Sequence, residues 1–290
     1  MPNKDSRRGF SIRIFLPNGI PEGLRLVEKS NWTGCCVVCP RSQFSDAKNR
    51  AEFSKTGVYV LLGPAGEGDL PTIYVGEGDP VRPRIEQHYA KKDFWTSLIL
   101  FTSKDENLNK AHVQFLESRL IQLANDAKRC VLDNVNAPQL PSLSEADCAE
   151  MDAFLDEMLL IYPILGLTAF ERPAVRPISK RLLYLKAKGI EARGFESADG
   201  FVVLSESEAM LDTAPSMQQY KQFMLALRKT LIEKGILVER KGILVFTQDY
   251  QFDSPSTGAG VVLGRSVNGR TEWKSESGKT LREIQSEAVA

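Results

Sequence analysis

Residues 57–117 decide how the chain reads. Gly57-Val58-Tyr59 lies in TGVYVLL (56–62) and Tyr74-Val75-Gly76 in TIYVG (72–76); Arg84-Ile85-Glu86-Gln87-His88 follows, and His112 to Glu117 sits inside LNKAHVQFLESRLIQLA (108–124). The first two runs are β-branched and aromatic, and GPAGEGDLP (63–71) between them is built of turn formers and acids, so the pair reads as a hairpin. FWTSLILFT (94–102) supplies a third strand. A helix over about 83–90 opens on early prolines, which only a first helical turn tolerates.

The helix at 108–124 carries the first anomaly. Wheeled at about 100° per residue from Val113, Leu116, Leu120, Ile121, Leu123 and Ala124 share one arc, with Asn109 near it, and Glu117 falls inside that arc. A carboxylate on a buried face is costly unless a cation, a hydrogen-bond network or a metal compensates it.

Outward from this stretch, FSIRIFL (10–16) reads as a strand closed by Pro17-Asn18-Gly19, with a second strand at 34–38, Trp32 as a core anchor between them, and a short polar helix at 45–53. Downstream, Ser144 and Asp147 resemble a capping box opening a helix whose apolar stripe is Cys148, Met151, Phe154, Leu155, Met158, Leu159 and Tyr162. Its other face, with Glu145, Asp147, Glu150, Asp152, Asp156 and Glu157, is acidic and expected to turn away from nucleic acid. ERPAVRP (171–177) breaks the helical pattern and marks a domain boundary. The segment 172–193 then carries Arg172, Arg176, Lys180, Arg181, Lys186, Lys188 and Arg193 against Glu191 alone. Beyond it the sequence predicts a strand at 200–204, a helix capped by Ser216, and a hairpin of 236–238 with 243–247.

The expected fold class is α+β: a small three-stranded antiparallel sheet flanked by helices, followed by a second α+β domain. The expected divisions are an N-terminal β-rich extension (1–54), a core (55–136), a helical extension (137–170) and a C-terminal domain (171–290). In 290 residues, 42% are hydrophobic and 26% charged, which is ordinary for a globular chain. Formal net charge is zero, so any polyanion partner must be met by local charge. Five cysteines give no disulfide framework. Cys36 and Cys39 have the spacing of half a zinc site, but the two histidines, His88 and His112, lie far off, and the expectation is small residues packed along a strand. The glycines at 63, 66 and 68 are not followed by the Gly-Lys-Ser/Thr of a phosphate loop. No apolar run is long enough to span a bilayer, no membrane partner is expected, and the N-terminus lacks the pattern of a secretory signal, so a cytoplasmic location is expected.

Phosphodiester hydrolysis needs a positioned nucleophile, a cation beside the developing charge and stabilisation of the leaving oxygen. Arg84 can hold a phosphate, Tyr59 or His88 can relay a proton, and a Glu117-held Mg²⁺ can serve the leaving group. Acyl transfer fits worse, because no serine or cysteine sits beside a histidine in a nucleophile turn.

At these positions the chain resembles the GIY-YIG nuclease superfamily. Gly57-Val58-Tyr59 and Tyr74-Val75-Gly76 look like variants of its two strand motifs, Arg84 lies ten residues after Tyr74, His88 is one helical turn further, and Glu117 matches its metal ligand. Asn134, or its neighbour Asn136, looks like its closing asparagine. The resemblance covers about 55–136 and implies a metal-dependent DNA endonuclease of a bacterial kind, serving restriction, phage defence or repair. It implies that Tyr59 acts as or assists the general base with Tyr74 in support. Arg84 would stabilise the transition state, His88 would position phosphate and nucleophile, and Glu117 would bind one Mg²⁺ or Mn²⁺. The 14 residues between Tyr59 and Tyr74 make a longer loop than the family usually has, and valine replaces isoleucine in both motifs; neither removes a functional atom. His112 fits a helix-start or packing role as well as a catalytic one.

A second resemblance lies in GFVVL (200–204), Leu227-Arg228, DYQFDSPSTGAGVVLGRSVNG (249–269), EWK (272–274) and GKTL (278–281). These are similar to an uncharacterised C-terminal domain accompanying some bacterial GIY-YIG nucleases. It implies substrate binding, with Lys180, Arg181, Lys186 and Lys188 on the DNA backbone, or else a structural or oligomerising part. The alternative for the whole chain is a nucleic-acid-binding module with a weakly active or inactive nuclease fold.

Overall fold

The computed structural model describes residues 9–65, 70–135, 138–171, 182–198, 200–215, 217 and 222–288. The chain divides into two compact units, with the boundary between residues 171 and 172.

The first unit is built on one sheet of β1 (Ile12–Phe15), β2 (Arg25–Lys29), β3 (Gly34–Pro40), β4 (Gly57–Ala65), β5 (Pro71–Gly78), β6 (Ser97–Ser103) and β7 (Val131–Leu132). Their spatial order is β1-β2-β3-β6-β4-β5-β7, antiparallel throughout except for β5 with β7. The small three-stranded sheet expected for this region is thus replaced by a seven-stranded one, in which β6, β4 and β5 are adjacent members. The cause is the free side of β6. Left as an edge, its backbone N–H and C=O groups would be exposed beside a strand buried along its length, and β3 pairs with all of it, from Gly34 opposite Ser103 to Pro40 opposite Ser97. β2 was not predicted; it bridges β3 to β1.

Both faces of this sheet are covered, which explains why β4 reads as a continuous apolar run rather than an alternating one. One face presents Val58, Val60, Ile73, Val75, Ile99 and Phe101 to α3 (Lys110–Ala127) and α4 (Glu145–Ile164), both in the same core cluster. The other presents Tyr59, Leu61, Leu98 and Leu100 to Phe44 of α1 (Phe44–Ala47), Phe53, Trp95, and Val81 and Ile85 at and within α2 (Arg82–Lys91). Segments 1–54, 55–136 and 137–170 therefore share one unit. Cys36 and Cys39, three residues apart on β3, belong to clusters on opposite faces, as strand alternation requires, and cannot ligate one ion together. Trp32 packs on Phe154 at 4.9 Å between ring centroids. The predicted start of α4 is in place, with Ser144 Oγ accepting from the Asp147 N–H at 3.1 Å, and its acidic face meets Lys29 through Glu157 and Arg119 through Asp152.

The second unit has two antiparallel sheets. One runs β14-β10-β9-β8, from β8 (Leu183–Ala187), β9 (Ile190–Ser197), β10 (Gly200–Val203) and β14 (Tyr250–Phe252). The other has β11 (Glu208–Ala209), β12 (Leu237–Arg240) and β13 (Ile243–Phe246) in the order β11-β13-β12. Helices α5 (Gln222–Glu233), α6 (Pro255–Leu263), α7 (Gly269–Glu272) and α8 (Leu281–Glu287) complete it, around a core that includes Phe201, Leu231, Phe246 and Trp273. The α+β class holds for both units. β8 and β9 occupy part of the stretch noted in the sequence only for its basic charge.

Candidate functional site

The site assembles where β4 and β5 meet α2. Tyr59 pairs across from Gly76, and a Cβ on Gly76 would lie 2.6 Å from both Cζ and Oη of Tyr59, so only glycine leaves room for the ring. Tyr74, two residues before Gly76 and on the same strand face, stands beside it. On α2, Arg84 and His88 are one turn apart with buried Ile85 between them in sequence. The His88 ring lies 4.6 Å from Tyr74 and 6.1 Å from Tyr59 between centroids. Arg84 donates to Gln87 Oε1 at 2.8 Å and acts on the Tyr74 hydroxyl through charge and hydrogen bonding.

The placement of α2 is fixed at both ends. At its start the Val81 N–H donates to the Lys55 carbonyl at 3.0 Å. At its end Arg41 donates to the Lys92 carbonyl at 2.6 Å and the Tyr89 carbonyl at 2.9 Å, satisfying acceptors that a helix C-terminus leaves open. The Arg41 guanidinium lies 4.5 Å from the Trp95 ring and 4.9 Å from that of Tyr89. Lys92 forms an ion pair with Asp133 while its ammonium sits 4.6 Å from the Tyr74 ring centroid. None of this support was read from the sequence, because each contact joins residues far apart along the chain or depends on the face of an aromatic ring.

From the other face, α3 contributes Glu117. Burial first, and then the charge of Glu77 on β5, push its carboxyl up to about 7, with Arg84 and Lys110 acting against them. The position the wheel singled out is thus one where burial disfavours the charged carboxylate. Glu77 itself was missed: it follows Tyr74-Val75-Gly76 directly, and its side chain is 13% exposed and bonded by both oxygens to Lys110 Nζ at 2.6 Å. Strand alternation puts Glu77 on the face opposite Tyr74, toward α3, and that was the one signal that could have found it.

Charge and burial act on all five residues. Burial raises Tyr59 well above the usual phenol range, with the charge of Tyr74 adding to it, so Tyr59 is a phenol at neutral pH. Burial likewise raises Tyr74, against the pull of Arg84. His88 is lowered to about 4 by burial and by the charges of Arg84 and Lys92, so it is a neutral imidazole. Burial opposes the charge on Arg84, but Tyr74, Tyr59 and Glu117 outweigh it and hold it as a cation. Tyr59 Oη and His88 Nε2 are both buried with no hydrogen-bond partner. Tyr59 is 0% and His88 6% exposed. These two orphaned polar atoms belong to neighbouring rings, and each costs about 1–3 kcal/mol while it lacks a partner.

The remaining predicted residues divide differently. Asn134 accepts from the Val75 N–H at 2.9 Å and donates to the Val75 carbonyl at 2.8 Å, continuing the edge pairing of β5 beyond the end of β7. Its side-chain amide is occupied by backbone, one residue from Tyr74 and from Gly76. Asn136 lies outside the described residues. His112 closes a capping box at the start of α3: Asn109 Oδ1 accepts from its N–H at 3.0 Å, and its ring returns to the Asn109 N–H. Of the basic residues, Lys180 and Arg181, like Arg172 and Arg176, lie outside the described residues. Lys186 pairs with Glu191 at 3.0 Å, and Lys188 sits exposed in the β8–β9 turn at φ 50°. Glu206 and Glu208 line the same surface depression as Lys186, Lys188 and Arg193, so this face is mixed rather than basic.

Among the described residues no group of three His, Cys, Asp or Glu side chains could cage a metal. Glu117 is a residue that could hold a hard cation keeping most of its water and taking one or two carboxylates, as Mg²⁺ does. A carboxyl raised by burial and by a neighbouring carboxylate is the chemistry such an ion would relieve.

In the second unit, several residues behind the C-terminal resemblance pack, bond or cap the fold. Phe201 and Trp273 stack at 4.6 Å, Arg228 is buried with its guanidinium on the Leu211 and Val261 carbonyls, Asp249 accepts from the Ser205 N–H at 2.8 Å, and Thr280 caps α8. Residues 183–285 match a domain family described as a domain of unknown function, DUF4357. No curated protein and no solved structure matches the chain. Among the described residues no helix is long and apolar enough to cross a membrane.

Proposed function

We propose that this chain is a metal-dependent endonuclease that hydrolyses phosphodiester bonds in DNA, with a GIY-YIG-like core at residues 55–136. One observation carries the reading: Tyr59, Tyr74, Arg84 and His88 gather around two buried polar atoms that lack partners, and the charge of Glu117, from α3 on the other face, acts on Tyr59, Tyr74 and Arg84. Arg84 supplies a fixed cation for the phosphate and the charge that develops on it. His88, being neutral, offers Nε2 to orient the attacking water and receive its proton. Tyr59 keeps its own proton, so its part is to orient and relay, with Tyr74 and Arg84 holding its surroundings. A Mg²⁺ or Mn²⁺ held by Glu117 would supply Lewis-acid stabilisation of the leaving oxygen. Asn134 acts indirectly, by fixing the backbone between Tyr74 and Gly76. The second unit is proposed to hold the DNA backbone, with Lys180, Arg181, Lys186 and Lys188 as contacts.

Relaxation of supercoiled plasmid in Mg²⁺ or Mn²⁺, comparing the full chain with Glu117→Ala, tests this directly. The wild type nicks the plasmid and the variant loses the activity by at least about 100-fold. Equal nicking by both would sink the proposal. Salt-dependent binding of duplex DNA without cleavage by either protein would instead make the chain a nucleic-acid-binding module.

A further inference from the structure

Lys110 is the first residue of α3, and the first turn of that helix holds no acid. A cation there opposes the helix dipole, so helix stability does not account for it. Its ammonium instead lies 2.6 Å from each oxygen of Glu77, a carboxylate drawn well out of solvent on β5. Lys110 and Glu117 are seven residues apart and so share one side of α3, the side from which Lys110 reaches Glu77 of β5 and from which the charges of Glu77 and Glu117 act on one another. On this side of the sheet Lys110, Glu77 and Glu117 therefore form one group with two negative charges and one positive. The hydroxyl of Tyr59 ends against Gly76, the residue before Glu77, and is fully buried without a partner. It reaches Gly76 from the opposite, α2 face, and the charges of Glu117 and Glu77 act on it there, so an unsatisfied polar atom borders the same carboxylates.

Resting on the reading above that Glu117 holds a divalent cation, we infer that Glu77 is a second carboxylate of that cation site. Lys110 is its internal counter-ion, occupying Glu77 until the divalent ion displaces it. The exchange balances charge: an ammonium leaves one carboxylate as a dication arrives between two. Lys110 has room to swing away, since its side chain is 52% exposed. A resident ammonium keeps the buried pair of carboxylates tolerable in the absence of metal, at the cost of weaker metal affinity.

Mn²⁺ alone, titrated into the full chain by electron paramagnetic resonance and calorimetry, reads this without recourse to cleavage. Compared with wild type, Lys110→Met tightens Mn²⁺ binding about tenfold, Glu77→Gln weakens it about tenfold, and Glu117→Gln abolishes it. In melting experiments Mn²⁺ raises the midpoint of Lys110→Met more than that of wild type, which separates a counter-ion from a merely structural lysine. If Glu117→Gln loses Mn²⁺ while Glu77→Gln and Lys110→Met bind as wild type does, the inference fails and the metal role of Glu117 stands. If wild type binds no Mn²⁺, both fail.

Discussion

Replacing Glu117 by glutamine separates what the carboxylate does for chemistry from what it costs the fold. In the unfolded chain this carboxyl ionises near 4.5, whereas in the folded chain burial and Glu77 push it up to about 7. Below pH 4.5 it is neutral in both states and carries no penalty. As pH rises through 7 the folded state must ionise a disfavoured carboxylate, so stability present at low pH is lost. At about 1.36 kcal/mol per pH unit the ceiling is about 3 kcal/mol, and because the group is only partly buried, screening by water cuts this to roughly 1.5 kcal/mol. Glutamine keeps the shape and removes the titration. Glu117→Gln is therefore expected to match wild type at pH 4.5 and exceed its stability by about 1.5 kcal/mol at pH 8.5, while losing cleavage. Urea unfolding followed by circular dichroism across that range measures the difference. His88 titrates in the opposite sense. With its folded pKa lowered to about 4, its contribution is present above 6.5 and falls away as pH drops through 4, but it is common to both proteins and cancels. A stability difference that does not change with pH, or a variant less stable at pH 8.5, would refute this account of Glu117.

Other substitutions test the supports. Asn134→Ala strips both hydrogen bonds from Val75 and is expected to cost about 1–3 kcal/mol in thermal melting, with cleavage falling as Tyr74 and Gly76 loosen. Gly76→Ala forces a methyl against the Tyr59 hydroxyl; a loss of about 1–3 kcal/mol together with most of the activity is expected, and an unaffected melting curve would contradict the packing described. His112→Gln preserves a capping box at the start of α3 and should leave cleavage within about twofold of wild type, whereas a catalytic histidine would not allow it. In the second unit, Arg228→Ala leaves the Leu211 and Val261 carbonyls without their donor and opens a cavity, for a cost of about 3–5 kcal/mol read by urea unfolding.

The supports also explain how so small a set of polar residues is held in place. Tyr59 and Tyr74 stand on strands, not loops, and Arg84 and His88 share a helix locked by Arg41 and by the Val81 N–H. Asn134 and Asp133 fasten the outer edge of β5, and Asp133 also holds Lys92 beside Tyr74.

Sequence alone determined the hairpin of β4 and β5, the proline-led start of α2, the cap of α4 and the misplaced charge at Glu117. Each is encoded within a few residues: turn chemistry, capping geometry and periodicity act locally, so they survive without the rest of the chain. It also ordered Tyr59, Tyr74, Arg84, His88 and Glu117 along the chain, whereas the packing of His88 against Tyr59 and Tyr74 is a tertiary fact. What only the tertiary structure decided is non-local. That β3 covers β6 and makes a seven-stranded sheet depends on which of several apolar strands satisfies a free edge, a choice with no local signature. His112 resolved into a cap and Asn134 into a backbone clamp because their partners are set by the helix start and the strand edge. Glu77 became visible only when α3 lay across β5, since alternation names a face of the strand but not the charge waiting on the other side.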